Sequence, residues 1–470
     1  MTPNVHKCFV AFSLIQHVEG STKTINMASS RGEFTSNFGF VMAAAGSAVG
    51  LGNIWGFPTQ TAENGGAAFV LVYIVLAFLV GYPVLMAEFT IGRYTRMSAP
   101  DAYKKLGGGK SYFWIGILGL VTVGFILSFY SIIAGGMIAY FVEPIGRLLG
   151  LEAFSDWVIG QSEISNLVFT SIFFLFTMLI VSGGVNKGIE KWSKRFMPIL
   201  FVLFLVLVIY VLTLDGAMEG VRVYLLPDFS KIFDPELITS AMGQAFFSLS
   251  LGVGGMLVYG SYTNKKANLS KLGWLVTLCD IGVAFIAGLL IIPAMYAAAN
   301  LGTEIFDGNG ALISGPNLIF QVLPSLFKSM GAIGWPVAFV FFLLMSIAAL
   351  TSSIAMLETV VSYVVDSQKI ERKKATWFTG GFFWIVSILI VFNYEAFFDL
   401  IVKATTVYGQ PFLGLAIAIF AGWVIQKNVL LNELKKGNPE IENTFFYKIW
   451  PIFLKFVCPI LILLVFLQSF

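Results

Sequence analysis

Charged residues, histidines and cysteines are all scarce in this chain of 470 residues. Only 12% of its residues are Asp, Glu, Lys or Arg, whereas 57% are apolar. A water-soluble protein of this composition would expose far too much apolar surface, so the composition indicates a membrane protein. The two histidines, His6 and His17, precede the first long apolar run, and the three cysteines are scattered. These shortages argue against a histidine-based metal or catalytic site, a disulfide framework and a cysteine metal knuckle.

Long apolar runs, by contrast, are abundant. A helix needs roughly 20 apolar residues to cross about 30 Å of hydrocarbon, and these runs lack the two-residue alternation of membrane β-strands. We therefore predict an all-α polytopic membrane protein with 11 transmembrane helices. The predicted spans are approximately 38–61, 66–90, 112–142, 166–183, 195–213, 240–262, 273–300, 335–365, 376–393, 396–425 and 446–468.

The cationic residues predict the orientation, because Lys and Arg stay on the cytoplasmic side of a membrane. With the N-terminus in the cytoplasm, the cytoplasmic connections hold twenty Lys and Arg residues and the outer connections hold four. Eleven spans then place the C-terminus outside. The net charge of +3 reflects this topology and gives no support to nucleic-acid binding.

Glycines and small polar residues interrupt two of the apolar spans. The first span reads GSAVGLGN at 46–53, and the sixth reads SLSLGVGG at 248–255. These are the leading spans of two five-helix halves, and interrupted helices in corresponding positions of inverted halves mark a transporter binding site near mid-membrane. The alternative is that the glycines only allow close helix packing. We favour two broken helices because both segments also carry Ser or Asn.

Backbone oxygens freed by such breaks need partners in lipid, and a desolvated cation is one. Sodium is a hard ion that accepts carbonyl, hydroxyl, amide and carboxylate oxygens. Asp280 lies inside the seventh span, and a buried ionisable residue there is a functional candidate. Glu88 ends the second span, where it is either functional or merely interfacial. The hydroxyls of Thr351, Ser352 and Ser353 either bind an ion or bond back to their own helix.

Several motifs resemble the neurotransmitter:sodium symporter family, in its bacterial amino-acid branch. They are GSAVGLGNIWGFP at 46–58, AENGGAAF at 62–69, GQAFFSLSLGVG at 243–254 and LTSSIA at 350–355. The rule on broken helices was drawn partly from this family, so the two arguments are not independent. The resemblance implies two inverted five-helix repeats with broken helices 1 and 6, plus one extra C-terminal helix. The implied division is 1–30 (an N-terminal extension, disordered or a start-site artefact), 31–213 (first repeat), 214–239 (extracellular connection), 240–425 (second repeat) and 426–470 (cytoplasmic loop and last helix).

The resemblance also implies two sodium sites and a substrate site. The first sodium site comprises Ala48, Asn53, Ser248 and Asp280, and the second comprises Gly46, Val49, Ala348, Thr351 and Ser352. The implied substrate-binding residues are Ser47, Ala48, Gly50, Gly52, Ile126, Tyr130, Phe247, Ser250, Val253, Ser352 and Met356. Glu88 and Gln244 are expected to support the site. Amine-transporting members carry an acidic residue where this chain has Gly50, so a substrate with its own carboxylate is expected.

The expected gates differ at the two faces of the membrane. The inner-gate Arg and Asp of the family are present as Arg31 and Asp366, and Tyr262 is a further gating candidate. Gly56 and Val402 stand where many relatives have the outer Arg and Asp pair, so another closure is expected, such as Tyr130 with Phe247.

Together these features predict sodium-coupled symport of a neutral, hydrophobic or aromatic amino acid into a bacterial cell. The chain is expected to be a non-enzymatic protein of the plasma membrane that uses about two sodium ions. Asp280 would supply the charge that chloride supplies in animal members, so chloride is not expected to be required. The expected partners are a small amino acid and the lipid bilayer, with no nucleic acid and no obligatory protein. The alternatives are a sensor or a channel on the same scaffold.

Overall fold

The computed structural model describes residues 32–160, 162–226, 229–306, 312 and 318–468. These residues form helices joined by short connections, and the β-contact among them is an isolated bridge between Phe306 and Leu312. The predicted all-α polytopic fold is confirmed. The predicted extension at 1–30 and the gating residue Arg31 lie outside the described residues.

The first half of the chain contains a helix that is broken near its middle and four long helices that are not. Short helices lie in the connections between them. In chain order the helices are α1 (Asn37–Ala48), α2 (Gly52–Glu63), α3 (Ala67–Thr95), α4 (Ala99–Gly107), α5 (Lys110–Leu148), α6 (Glu152–Ile159), α7 (Glu163–Ser182), α8 (Val185–Val211) and α9 (Ala217–Leu225).

The second half begins with another interrupted helix. It continues with five long apolar helices, one of which closes the chain. These helices are α10 (Pro235–Ser248), α11 (Gly255–Ser261), α12 (Leu269–Asn300), α13 (Leu318–Ser329), α14 (Gly331–Gln368), α15 (Arg372–Phe392), α16 (Tyr394–Val424), α17 (Lys427–Lys435) and α18 (Phe445–Gln468).

Nine helices in the described ranges are long and apolar enough to cross a membrane, and α1 with α2 makes a tenth as a pair bent by 53°. The predicted number of eleven also requires α10 and α11 to form one crossing, so that number stays a prediction. The expected interruption of the first and sixth spans is confirmed, because each pair of helices is separated by non-helical residues. The division into two repeats at the stated boundaries stays a prediction.

The first break follows from a run of small residues. After Ala48 the backbone becomes extended at Val49, with φ −71° and ψ 102°. The chain resumes as a wide π-helical turn over Gly52–Gly56. Glycine has a low helix propensity, so a break costs less here than in a Leu- or Ala-rich segment.

The second break, between α10 and α11, contains three left-handed residues. Gly252 and Gly254 have φ angles of 89° and 81°, and Ser250 has a φ of 53°. This conformation suits glycine but costs an L-residue about 1–2 kcal/mol. The surrounding structure must therefore stabilise the backbone at Ser250.

Both broken helices lie at the centre of the bundle. The helix α1 packs against α8, α12 and α14, while α10 packs against α2, α3 and α16. The helix α11 packs tightly along α3, since a methyl group at Gly92 would overlap the carbonyl of Leu257. Because long helices enclose both breaks, their free backbone groups are shielded from lipid and can form a polar site.

Candidate functional site

The two breaks are joined to each other by hydrogen bonds. The Ser250 hydroxyl donates to the Ser47 carbonyl at 3.1 Å, and the Gln244 amide donates to the Gly52 carbonyl at 2.7 Å. The Ser250 hydroxyl thus supplies a partner for a backbone oxygen at the first break, which lipid could not do. The Gly52 carbonyl also accepts from the Phe57 N–H within the π-helical turn. The bond from Ser250 also gives a reason for its costly backbone conformation.

A buried carboxylate supports the second break. Glu88 on α3 accepts hydrogen bonds from the backbone N–H groups of Gly252 at 2.8 Å and Leu257 at 3.2 Å. Its side chain has no exposed surface. The carboxylate thus lies inside the bundle and is bonded to the second break. Glu88 and Gln244 thus both contact the broken segments, and their functional role stays a prediction.

The first oxygen cluster connects α2, α10 and α12. The Asn53 amide donates to the Ser248 hydroxyl at 2.8 Å and to the Asp280 carboxylate at 2.7 Å. The Ser248 hydroxyl lies 2.9 Å from both carboxylate oxygens of Asp280. All three side chains are buried. The structure therefore brings together three residues from a stretch of the chain in which the first and the last are 227 positions apart.

Tyr73 is a member of this cluster that the sequence analysis missed. Its hydroxyl lies 3.3 Å from the Ser248 hydroxyl and 3.4 Å from the Asp280 carboxylate. A tyrosine hydroxyl buried in a membrane helix needs a hydrogen-bond partner. A tyrosine within an apolar span therefore indicates that a polar group lies nearby in the fold. The partner, however, lies on other helices, so the sequence around Tyr73 does not identify it.

The second oxygen cluster lies between α1 and α14. The Ser352 hydroxyl is 3.3 Å from the Gly46 carbonyl and 3.2 Å from the Val49 carbonyl. The Thr351 hydroxyl donates to the Ala348 carbonyl at 2.9 Å. All five residues predicted for the second sodium site thus lie close together. Thr351 follows the reading in which a hydroxyl bonds back to its own helix, whereas Ser352 reaches across to the break.

Both clusters have the chemistry of a hard cation site. The first offers the Ser248 hydroxyl and the charged Asp280 carboxylate, beside an Asn53 amide whose oxygen accepts from the Gly50 N–H. The second offers carbonyl and hydroxyl oxygens. No group of three His, Cys, Asp or Glu residues suited to a metal ion occurs in the part of the chain that the structure describes. A monovalent hard ion fits such sets because neutral oxygens replace its hydration without excess negative charge.

A narrow cavity is lined by residues of both breaks. It has about 30 Å³ of space for the centre of a water molecule, about what one or two waters need. All eleven residues predicted to bind substrate line this cavity. Val123, Thr359 and Gln410 also line it and were not named from the sequence. The role of the eleven in binding stays a prediction.

The cavity has a polar end and an apolar end. At the polar end the Leu51 N–H donates to the Tyr130 hydroxyl at 3.3 Å. Gly50 fits closely here, because a methyl group on it would overlap the Ser352 hydroxyl and lie 2.8 Å from that of Tyr130. Val253 and Met356 line the apolar part. This division suits a ligand with a charged head and an apolar side chain.

A polar network lies near the end of α11. The Tyr262 hydroxyl donates to the Glu358 carboxylate at 2.6 Å, and Arg372 forms an ion pair with the same carboxylate. The Phe34 N–H donates to the Tyr262 carbonyl at 3.0 Å, so the chain before α1 is attached to this network. Asp366 lies near the end of α14. Its predicted pairing with Arg31 involves a residue outside the described set and stays a prediction.

The chain is similar to known transporters over nearly its whole length. A sequence profile described as "Sodium:neurotransmitter symporter family" matches residues 31–162 and 159–470. An uncharacterized sodium-dependent transporter of Bacillus subtilis, YhdH, is 39% identical, covering 93% of this chain and 97% of its own. A sodium- and chloride-dependent taurine transporter of Rattus norvegicus is 27% identical over 72% of this chain and 60% of its own.

A solved structure agrees with these sequence matches. The crystal structure of MhsT in complex with L-phenylalanine superposes with a TM-score of 0.81 and 37% sequence identity, covering 94% of this chain and 100% of that one. The relatives are transporters, so the chain is not an enzyme. It is a sodium-dependent membrane transporter that belongs to the sodium:neurotransmitter symporter family.

Proposed function

We propose that this chain is a sodium-coupled symporter that carries a neutral amino acid with a hydrophobic or aromatic side chain into the cell by alternating access. The observation that carries the proposal is the position of Ser352. Its hydroxyl contacts the carbonyls of Gly46 and Val49 in the second oxygen cluster, and it also lines the cavity. An ion and a substrate bound at these places would be neighbours, and each would favour the binding of the other.

The polar end of the cavity fits the head of an amino acid. The N-terminal end of α2 faces it, and the positive end of a helix attracts a carboxylate. Tyr130 supplies a hydroxyl there, and no side chain occupies position 50. A sodium ion in the first cluster would complete the carboxylate's surroundings, which is why we assign Ala48, Asn53, Ser248 and Asp280 to that ion.

The apolar end favours a hydrophobic or aromatic side chain. Ile126, Val253 and Met356 supply aliphatic surface, and methionine adapts to ligands of different shape. Because MhsT was crystallised with L-phenylalanine and is 37% identical to this chain, an aromatic amino acid is the first candidate. A charged side chain would have no countercharge among the described residues that line the cavity.

Two sodium ions would supply enough energy for concentrative uptake. Each positive charge that crosses a potential of 100 mV yields about 2.3 kcal/mol. Two ions entering with a neutral amino acid would therefore sustain a concentration ratio on the order of 10³ before any sodium gradient is counted. The second ion is assigned to Gly46, Val49, Ala348, Thr351 and Ser352.

Chloride is not required in this proposal. The taurine transporter of Rattus norvegicus is named as sodium- and chloride-dependent. In this chain Asp280 already brings a negative charge to Asn53, Ser248 and Tyr73. A chloride ion beside the same sodium ion would add a second negative charge that this site does not need.

Alternating access would proceed through changes at the two ends of the central cavity. At the inner end we assign gating to Tyr262, whose bond to Glu358 links α11 to α14, and to an Arg31 and Asp366 pair. At the outer end we assign closure to Tyr130 and Phe247, which line the cavity. Opening one end while the other stays closed moves substrate across a bacterial plasma membrane, with the N-terminus in the cytoplasm and the C-terminus outside.

Uptake of labelled L-phenylalanine by purified protein in liposomes tests this function. We expect accumulation above the equilibrium level when sodium is higher outside, and none when potassium replaces sodium. Passive equilibration without accumulation would favour a channel. Saturable binding without uptake would favour a sensor, and either result would overturn the proposal.

A further inference from the structure

Gln410 is a polar residue of the cavity wall that belongs to neither oxygen cluster. It lies on α16, directly after a π-helical turn over Lys403–Gly409. Its side chain is only 3% exposed and lines the same cavity as the predicted substrate residues. The backbone of α16 also approaches the second break closely, since a methyl group on Gly252 would lie 2.9 Å from the Gln410 carbonyl.

The orientation of the Gln410 amide follows from its neighbour. Its nitrogen donates to the Leu251 carbonyl at 3.3 Å. A carbonyl can only accept, so the amide nitrogen must face Leu251 and the amide oxygen must point elsewhere. That oxygen is buried and has no hydrogen-bond partner among the residues that the structure describes. A buried acceptor without a donor is unfavourable, so a ligand that supplies a donor would relieve this cost.

Gln410 lies at the far end of the cavity from the polar head site. Val123 and Tyr130 both line the cavity from α5, and seven residues of helix separate them by about 10 Å. The turn of α16 before Gln410 lies beside the part of α5 that contains Val123. A methyl group on Gly409 would be 3.4 Å from Thr122, the residue before Val123. An amino acid whose carboxylate is near Tyr130 would therefore extend its side chain towards Gln410.

The other side-chain hydroxyl at this end already donates its hydrogen within its own helix. Thr359 lines the cavity two helical turns from Ser352, but its hydroxyl donates to the Ala355 carbonyl at 2.8 Å. The Thr359 oxygen thus already takes part in one hydrogen bond, whereas the Gln410 oxygen takes part in none among the described residues. A neutral donor suits it better than a charged one, because a single amide oxygen cannot offset a buried positive charge.

We propose that Gln410 is a specificity residue whose side-chain oxygen accepts a hydrogen bond from the distal end of the transported side chain. This proposal rests on the proposed amino-acid transport. It predicts that the site prefers aromatic amino acids that carry an O–H or N–H group over equally large ones without a donor. The relevant ligands are those with a phenol or an indole.

Two pairs of amino acids that differ only in the donor test this assignment. L-tyrosine is compared with L-phenylalanine, and L-tryptophan is compared with 3-benzothienyl-L-alanine, in which sulfur replaces the indole N–H. Each competes with labelled L-phenylalanine for sodium-dependent binding to the full chain. In at least one pair we expect the donor-bearing member to bind about threefold to tenfold more tightly, as one neutral hydrogen bond provides.

The variants Gln410→Met and Gln410→Leu remove the acceptor, because they replace the amide by an apolar side chain of similar length. We expect them to reduce the preference within the pair to less than about twofold. Because the preference is a ratio, a general loss of affinity leaves it interpretable. The matched control is Thr405→Val on the same helix, whose buried hydroxyl donates to the Ile401 carbonyl at 2.7 Å and does not line the cavity. That variant should keep the wild-type ratio.

The outcomes separate the two proposals. Equal affinities within both pairs in the wild-type protein, with sodium-dependent binding intact, would overturn the role of Gln410 alone. A preference that survives in both Gln410 variants would do the same. Absence of any sodium-dependent amino-acid binding in the wild-type protein would instead overturn the proposed function.

Discussion

At the scale of single residues, the missing side chain at position 50 is as informative as the side chains that are present. Gly50 lies between the hydroxyls of Tyr130 and Ser352, and any Cβ atom there would overlap the latter. This steric limit, together with the carboxylate that the substrate is proposed to bring, explains why a glycine suits the polar end of the cavity.

We predict that Gly50→Ala lowers sodium-dependent affinity for L-phenylalanine by at least about tenfold, because the methyl group displaces Ser352 or Tyr130. Equilibrium binding of labelled L-phenylalanine measures the effect. The control is Gly243→Ala on α10, where no atom of the described residues beyond the backbone of its own helix lies within 4 Å of the added methyl group. Equal affinities for the two variants would show that the close fit at position 50 is unimportant.

Asp280 is the charged residue on which the first ion site depends. We predict that Asp280→Ala lowers the apparent affinity for sodium in amino-acid binding by about tenfold or more, or makes this binding depend on chloride. The reason is that a buried negative charge is lost. Sodium titrations in chloride and in gluconate salts distinguish these results. Asp215→Asn, at an exposed position between α8 and α9, is the control. An unchanged sodium affinity of Asp280→Ala in both salts would contradict the assignment.

Sequence reasoning reached some of these residues and missed others for identifiable reasons. Asp280 was found because a charge within an apolar run is conspicuous, and Asn53 and Ser248 because they lie in motifs shared with a known family. Tyr73 and Gln410 carry no such signal, since an isolated Tyr or Gln in a long helix fits many environments. Their roles depend on partners from other helices, which only the tertiary structure identifies.

At the scale of elements, the two broken helices were predictable because glycine and serine interrupt otherwise apolar spans at equivalent places. The contacts that stabilise the two breaks were harder to predict. Glu88 looked like an interfacial residue or a supporting one, and its bonds to Gly252 and Leu257 appear only when α3 packs against α11. The predicted eleventh span depends on α10 and α11 crossing the membrane together, because each is too short to cross alone.

We predict that Glu88→Gln destabilises the protein, because the glutamine nitrogen cannot accept the second backbone N–H and leaves it unsatisfied. The expected cost is about 1–3 kcal/mol, seen as a lower midpoint of thermal unfolding in detergent together with reduced uptake. Glu236→Gln, at an exposed position in the first turn of α10, provides the comparison. A midpoint for Glu88→Gln within experimental error of that control would contradict the role of Glu88.

At the scale of the whole molecule, the distribution of Lys and Arg predicts how the chain lies in the membrane. Twenty of these residues fall on one side of the predicted topology and four on the other. The helices between them are consistent with this arrangement, but they do not carry a direction. The orientation therefore stays a prediction.

We predict that Asp215→Cys reacts with a membrane-impermeant maleimide on intact cells, because residue 215 lies in an outer connection of the predicted topology. Asn264→Cys, in the connection between α11 and α12, should react only after the cells are permeabilised. Both positions are exposed in the structure. The reverse pattern of labelling would invert the proposed orientation and place the N-terminus outside.

Sodium and an amino acid are proposed to cross together because their sites meet at the two breaks. Simultaneous measurement of labelled sodium and labelled L-phenylalanine influx into liposomes tests it most directly. We predict that the amino acid stimulates sodium entry, with about two ions per molecule, and that the double variant Thr351→Val, Ser352→Ala loses concentrative uptake. Amino-acid accumulation without stimulated sodium entry, or wild-type accumulation in that double variant, would contradict the account.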